Sequence, residues 1–190
     1  LLNELKKTGK PIAMVLFTGR PLALTNVKDV PDAMLNVWFS GTEAGHAIAD
    51  VLFGKVNPSG KLPVTFPRSL GQVPIYYNHK NTGRPLSAEK TDKCEYDRFR
   101  ANYMDECNTP LYPFGYGLSY TSFTYSDMSV SNTNPKGNQT VQVSVNLKNS
   151  GNYDGAEVVQ LYIRDLVGSI TRPVKELKGF QKVFLKKGES

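Results

Sequence analysis

Apolar residues follow three different rhythms along this chain. In the first, continuous apolar runs alternate with helical spacing. Ile12 to Phe17 and Ala33 to Phe39 lack alternation, the pattern of strands covered on both faces in an α/β sheet, and Leu22 to Leu24 reads as a short neighbouring strand. Leu1, Leu2 and Leu5 share one helical face over residues 1 to 8, with Gly9 as C-terminal cap and Pro11 blocking continuation. Ala44, Ala47, Ile48, Val51 and Leu52 recur at i, i+3, i+4, i+7 and i+8, predicting a helix with a buried apolar stripe. Ser40 and Glu43 have capping-box spacing at its start, and Gly54 suits its C-terminal cap. A turn at Asn57 to Gly60 and an extended Lys61 to Phe66 follow.

From Gln72 to about Tyr120 no period holds. Tyr76, Tyr77, Tyr96, Tyr103, Tyr112, Tyr116 and Tyr120 are scattered among Gly, Pro, Asn and charged residues, predicting a long connecting loop. Its last words, PLYPFGYGLSYT from Pro110 to Thr121, suit an ordered crossing between domains. Beyond Tyr120 the period becomes two. Phe123, Tyr125, Met128 and Val130 suggest one strand; Val141, Val143, Val145 and Leu147 a second with its valines inward; Ala156 to Arg164 a third. A fourth spans Val174 to Leu185, with a bend expected at Lys178-Gly179. Short alternating strands indicate an immunoglobulin-like or fibronectin-type sandwich. The span left for it is shorter than the usual ~100 residues, and both ends of the chain read as cut, with unpaired strand edges expected.

A hydrophobic fraction of 39% and a charged fraction of 21% describe a folded protein, because a disordered chain buries too little apolar surface to offset its entropy. No apolar run reaches the ~18 to 20 residues of a membrane span, so no membrane partner is expected. The net charge of +6 is scattered along the chain, which argues for a solvated basic surface and against nucleic acid. The two cysteines, Cys94 and Cys107, with His46 and His79, match no zinc spacing, and no cofactor is implied. A local disulfide or two free thiols both fit. Asn138-Gln139-Thr140 has the spacing of a glycosylation acceptor.

No nucleophile constellation stands out. Ser59 and Ser119 lack the setting of a nucleophile elbow, and Gly115-Tyr116-Gly117 lacks the third glycine of a dinucleotide site. His46 reads as structural and Glu43 as a helix cap. Asp92, Glu95, Asp97, Asp105 and Glu106 crowd the tyrosine-rich loop, either as a solvated loop or as the polar wall of a sugar site.

The words GKPIAMVLFTGRPLAL (9 to 24), the stretch from Trp38 to Pro67 containing NPSGKLPVTFP, PIYYNHKNTGRP (74 to 85), PLYPFGYGLSYTSFTY (110 to 125), GAEVVQLYIRD (155 to 165) and TRPVKELKGFQKVFLKKGES (171 to 190) occur in that order. Together they resemble the C-terminal half of family 3 glycoside hydrolases, most of all the periplasmic β-glucosidases of Gram-negative bacteria. The resemblance implies an α/β plus all-β organisation. Residues 1–75 would be the second half of an α/β sandwich domain, 76–121 a long Tyr-rich inter-domain loop, and 122–190 a truncated fibronectin type III-like β-sandwich.

It further implies that this is the C-terminal part of a retaining exo-β-glucosidase, located in the periplasm, whose N-terminal barrel domain is missing here. The substrate would be a β-linked oligosaccharide or glucoside. The nucleophilic Asp and acid/base Glu of such an enzyme fall before Leu1, so no catalytic residue is assigned and the isolated chain is expected to be inactive. In some members, at times as a homodimer, the inter-domain loop offers an Arg and a Tyr to the aglycone sugar. By motif these are Arg84 of NTGRP and, more loosely, Tyr96; the blander reading is an Arg84 ion pair and Tyr96 packing. The alternatives are a non-catalytic carbohydrate-binding or interaction module, or part of a related β-xylosidase.

Overall fold

The computed structural model describes all 190 residues. In chain order the elements are α1 (Leu2–Lys6), β1 (Ala13–Leu16), β2 (Ala33–Asn36), α2 (Ala44–Leu52), a 3-10 turn (Leu70–Gln72), α3 (Ala88–Asp92), β3 (Phe123–Val130), β4 (Val143–Asn149), β5 (Gly155–Ile163) and β6 (Glu176–Leu185). Strands and helices alternate first and strands alone follow, the α/β then all-β order that the change of period predicts. No helix is long and apolar enough to cross a membrane.

The chain forms two compact units. The first comprises residues 1–49, 61–116 and 160–179. Its β1 and β2 pair in parallel, Ala13 opposite Ala33 through Leu16 opposite Asn36. The helix α1 ends earlier than expected, with Lys7 and not Gly9 as its C-cap, though Gly9 turns the chain at φ 68°, and Asp32 ties the start of β1 down by accepting from the Ile12 N–H at 2.8 Å. That bond, followed by the Lys6 ammonium at 2.9 Å, holds the Asp32 carboxyl below its ordinary pKa. The core is aromatic. Phe66, 2% exposed, lies between Trp38 and Tyr112 at ring distances of 5.8 and 6.2 Å. The segment around Phe66 is extended but is not a regular strand. It pairs with the PLYPFGY stretch, Phe66 N–H to the Tyr112 carbonyl and Leu62 N–H to the Tyr116 carbonyl, both at 2.8 Å.

The second unit comprises residues 50–60, 117–159 and 180–190. Here β3 and β4 are antiparallel, with an irregularity between Ser126 and Ser129 and a positive φ at Asp127. The bulge accounts for the break in alternation: Phe123 and Tyr125 are two apart, but Met128 and Val130 resume on the opposite parity. Asn149 is the buried polar centre, and Asn57 is a second clamp. The Asn57 amide donates to the Asp154 carbonyl at 3.0 Å and accepts from the Ser119 hydroxyl and the Tyr120 N–H, each at 2.8 Å. A single side chain thereby ties the Asp154 carbonyl to the Ser119–Tyr120 segment, while residues 57–60 themselves are irregular and do not make the turn expected there.

Five further local expectations are corrected. Leu22 to Leu24 is irregular, although Leu24 is buried. The capping box does not form: Gly41 to Glu43 make a turn, the Ser40 hydroxyl donates to the Val37 carbonyl at 2.9 Å, and α2 begins only at Ala44. The stripe on α2 is not buried, for no residue of that helix is, and Ala47 and Leu52 are exposed. Val143 and Val145 are likewise about two-fifths exposed, while Leu147 is buried. Finally, β6 runs through Lys178-Gly179 without a break.

Candidate functional site

The tyrosine-rich loop is tied down by a hierarchy of contacts within the first unit. Gln72, 1% exposed, accepts from the Arg68 N–H and donates to the Cys107 carbonyl, both at 2.7 Å. The Arg68 guanidinium donates to the carbonyl and hydroxyl of Thr109, at 2.9 and 3.1 Å. Cys107 is bonded to Cys94, settling the alternative left open by spacing in favour of the disulfide. At the other end Ser87 caps α3 by accepting from the Lys90 N–H, and Pro85 bridges to Ala101.

Between the cysteines the polar side chains organise irregular backbone. The Lys90 ammonium donates to the Asp97 carboxylate at 2.8 Å, and the Phe99 N–H donates to the same group at 3.2 Å. These bonds lower the Asp97 pKa, the lysine first, and the carboxylate in turn raises that of Lys90. Asn102 donates to the carbonyls of Asp97 and Arg100, and Asn108 donates to the Ala101 carbonyl and accepts from the Tyr103 N–H. Each amide replaces ladder bonds that the loop lacks.

This scaffold encloses an open depression of about 310 Å³ lined by Cys94, Tyr96, Tyr103, Met104, Asp105, Glu106 and Cys107. Tyr96 is half-exposed on its wall, and neither its hydroxyl nor that of Tyr103 has a hydrogen-bond partner within the protein. Arg84 is exposed, its carbonyl accepting from the Ala101 N–H at 2.8 Å and its guanidinium without an ion pair or hydrogen bond. Arg84 therefore lies on the segment paired with this loop but is not among the residues lining the depression. Of the crowded carboxylates, Asp97 is engaged by Lys90 and Glu106 accepts from the Cys107 N–H at 2.8 Å, whereas Asp105 is exposed. Sequence reasoning singled out Tyr96 and missed Tyr103 and Met104. The signal was there: both lie inside the interval bounded by the two cysteines.

Tyrosine rings present a flat apolar face with a polar edge, and carboxylates accept hydrogen bonds only. A half-open surface of this make-up suits a polyhydroxylated ring, whose C–H faces stack and whose hydroxyls donate.

Residues 1–120 match the glycosyl hydrolase family 3 C-terminal domain, and residues 157–190 match a fibronectin type III-like domain. A periplasmic β-glucosidase of Salmonella typhimurium is 54% identical over 189 residues, covering 100% of this chain and 24% of the relative. A putative β-xylosidase of Formosa agariphila is 43% identical, with 100% and 23% covered. The crystal structure of a β-glucosidase from Listeria innocua in complex with isofagomine superposes with a TM-score of 0.90 at 44% identity, covering 99% of this chain and 26% of that one. The chain thus spans about a quarter of the length of the relatives it matches. It belongs to glycoside hydrolase family 3, whose C-terminal domain it matches over most of its length.

Proposed function

We propose that this chain is the C-terminal part of a retaining exo-β-glucosidase acting on terminal β-D-glucosyl residues in the periplasm. The observation that carries the reading is the 54% identity, over all of this chain, to an enzyme named periplasmic β-glucosidase. Retention requires a carboxylate nucleophile and a carboxylic acid about 5 to 5.5 Å apart, and in the family resemblance both belong to parts of the polypeptide preceding these residues. On this reading residues 1–75 complete an α/β sandwich domain against a barrel domain, 76–121 form the inter-domain loop and 122–190 a fibronectin-type scaffold. A homodimer would bring the loop of one protomer to the active-site mouth of its partner.

Within that enzyme Arg84 and Tyr96 form an outer wall for the aglycone sugar. Arg84 supports this because its guanidinium is exposed and unpaired, leaving its donors for hydroxyls of a ligand. The test is Arg84→Ala in the complete enzyme. The ratio of disaccharide to aryl-glucoside kcat/KM is expected to fall about tenfold, the equivalent of one charge-assisted hydrogen bond; an unchanged ratio rejects the subsite. The purified 190-residue chain is expected to release no p-nitrophenol from p-nitrophenyl β-glucoside above background, and turnover by it would overturn the assignment of the carboxylates.

A second reading, a β-xylosidase, is favoured by the 43% identical relative of that name. Comparing the complete enzyme on p-nitrophenyl β-glucoside and β-xyloside decides between them.

A further inference from the structure

The depression of the first unit has an unusual construction: all seven of its lining residues lie in the interval from Cys94 to Cys107, and the disulfide joins the two ends of that interval. No helix or strand lies within it. At the Cys107 end the backbone is held by the buried Gln72 through a 2.7 Å bond to the Cys107 carbonyl. At the Cys94 end there is no comparable anchor in the core. Cys94 follows α3 with a left-handed backbone, φ 56°, and α3 has no buried residue. Tyr96 stands two residues beyond Cys94, half-exposed and without a side-chain partner. Tyr103, which also lines the depression, is fixed through the bond from its N–H to Asn108, close to the anchored end.

The two rings are thus unequally supported. We infer that the Cys94–Cys107 disulfide is the positioning element of the outer sugar site: it transfers the fixed position of Cys107 to Cys94, and so sets Tyr96 opposite Tyr103 to grip one sugar unit of the aglycone. Asp105 and Glu106, which also line the depression, accept hydrogen bonds from its hydroxyls. The volume, about 310 Å³, is at the lower end for ligand clefts and suits a single hexose. With the bond open, the Lys90–Asp97 and Asn102 contacts hold the middle of the loop, but nothing joins its ends. Oligosaccharide recognition therefore depends on the redox state of the compartment, whereas a small aryl leaving group does not reach the site.

The chemistry is ordinary thiol–disulfide exchange with a dithiol reductant. One thiolate of the reductant displaces a cysteine sulfur to give a mixed disulfide, and its second thiolate displaces the other. Two protein thiols and one cyclic disulfide of the reductant result, with two electrons passed to the protein. The inference rests on the outer-subsite reading above, and the experiment separates the two.

The complete enzyme is assayed on cellobiose and on p-nitrophenyl β-glucoside before reduction with dithiothreitol, after it, and after reoxidation, with thiols counted by mass after alkylation. The Cys94→Ser/Cys107→Ser, Tyr103→Ala and Arg84→Ala variants are assayed alongside. Reduction, the cysteine pair of substitutions and Tyr103→Ala are each expected to raise the cellobiose KM about tenfold relative to that of the aryl glucoside, reversibly in the case of reduction. If the ratio stays constant on reduction while Arg84→Ala still shifts it, the disulfide inference fails and the outer subsite stands. If Arg84→Ala and Tyr103→Ala both leave the ratio constant, the subsite itself is absent. Should the serine variant fold poorly, the reduced native enzyme decides, and equal loss on both substrates there means a structural bond only and overturns the inference.

Discussion

Replacing Asn149 tests the claim that one polar side chain organises the second unit. Asn149 is 0% exposed, and all four of its hydrogen-bonding positions are used. Its oxygen accepts from the Thr121 hydroxyl at 2.7 Å and the Gly151 N–H at 3.2 Å; its nitrogen donates to the carbonyls of Tyr153 at 2.8 Å and Leu185 at 3.1 Å. Its own N–H donates to the Glu189 carbonyl and its carbonyl accepts from the Gly188 N–H, so β4, the turn after it and the end of β6 converge here. Asn149→Ala deletes four side-chain bonds worth about 1 kcal/mol each and leaves their partners unpaired, a loss of about 4 kcal/mol against the 5 to 15 kcal/mol of a typical domain. Thr121→Val, which removes the bond to Asn149 and a long 3.5 Å bond from the Tyr153 N–H, should lose only about 1 kcal/mol. The assay is native-state hydrogen exchange read by mass spectrometry on peptides covering 143–153 and 180–190. By the factor of ten per 1.4 kcal/mol, Asn149→Ala should reduce protection there by nearly three orders of magnitude. A reduction below about tenfold, or one equal to that of Thr121→Val, would refute the idea that the amide joins these segments.

Three other perturbations probe single features. Gly115 has φ 80°, and a Cβ there would meet Gln160 Oε1 and lie 2.8 Å from the Tyr162 hydroxyl, so Gly115→Ala should destabilise the first unit by about 2 kcal/mol in urea unfolding. The Tyr125 hydroxyl, raised to about 12 by burial and then by Glu157, binds its proton more tightly folded than unfolded. Its contribution to stability is therefore complete below pH 10 and lost as the pH rises from 10 to 12; Tyr112 and Tyr162 are also raised by burial, so absorbance at 295 nm should show a late-titrating group of tyrosines, of which Glu157→Gln brings one back towards 10. Asp97, lowered by Lys90, stabilises the loop above the unfolded carboxylate range near pH 4 and ceases to do so as acid protonates it. Asp97→Asn should accordingly increase exchange of the 94–107 amides at pH 7 and remove their acid-dependent change.

Elements whose formation depends on neighbouring residues were legible in the sequence. Gly54 just past the end of α2, the apolar runs Ile12 to Phe17 and Ala33 to Phe39 that contain β1 and β2, and the alternation of β4 each carry their own physical reason, and each marks an element of the expected type. What failed were features decided by longer-range competition. Ser40 had the spacing to cap α2, but its hydroxyl found the Val37 carbonyl instead. Lys61 to Phe66 reads as a strand by its apolar content; it gained only a bridge and a few bonds because its partner, PLYPFGY, carries prolines that cannot donate. The change of parity in β3 was visible as Tyr125 to Met128, three positions instead of two, yet only pairing identifies it as a bulge and not a strand end.

The loop shows the same division at the level of the site. Composition pointed to it, since seven tyrosines without periodicity have no common core face to occupy. Which of those rings serve the depression was not legible, because that depends on cross-links between residues far apart in sequence: Gln72 with Cys107, Arg84 with Ala101, and Cys94 with Cys107. Three of the remaining rings are consumed elsewhere. Tyr112 and Tyr116 stack at 5.3 Å beside Phe66, and Tyr77 stacks on Phe114 at 4.2 Å and meets Tyr162 edge-on. A tyrosine whose ring is packed against another has little face left for a sugar. Tyr96 and Tyr103 make no ring contact, and of the four tyrosines in this loop whose rings stay unstacked, Tyr76, Tyr96, Tyr103 and Tyr120, they are the two that line the depression.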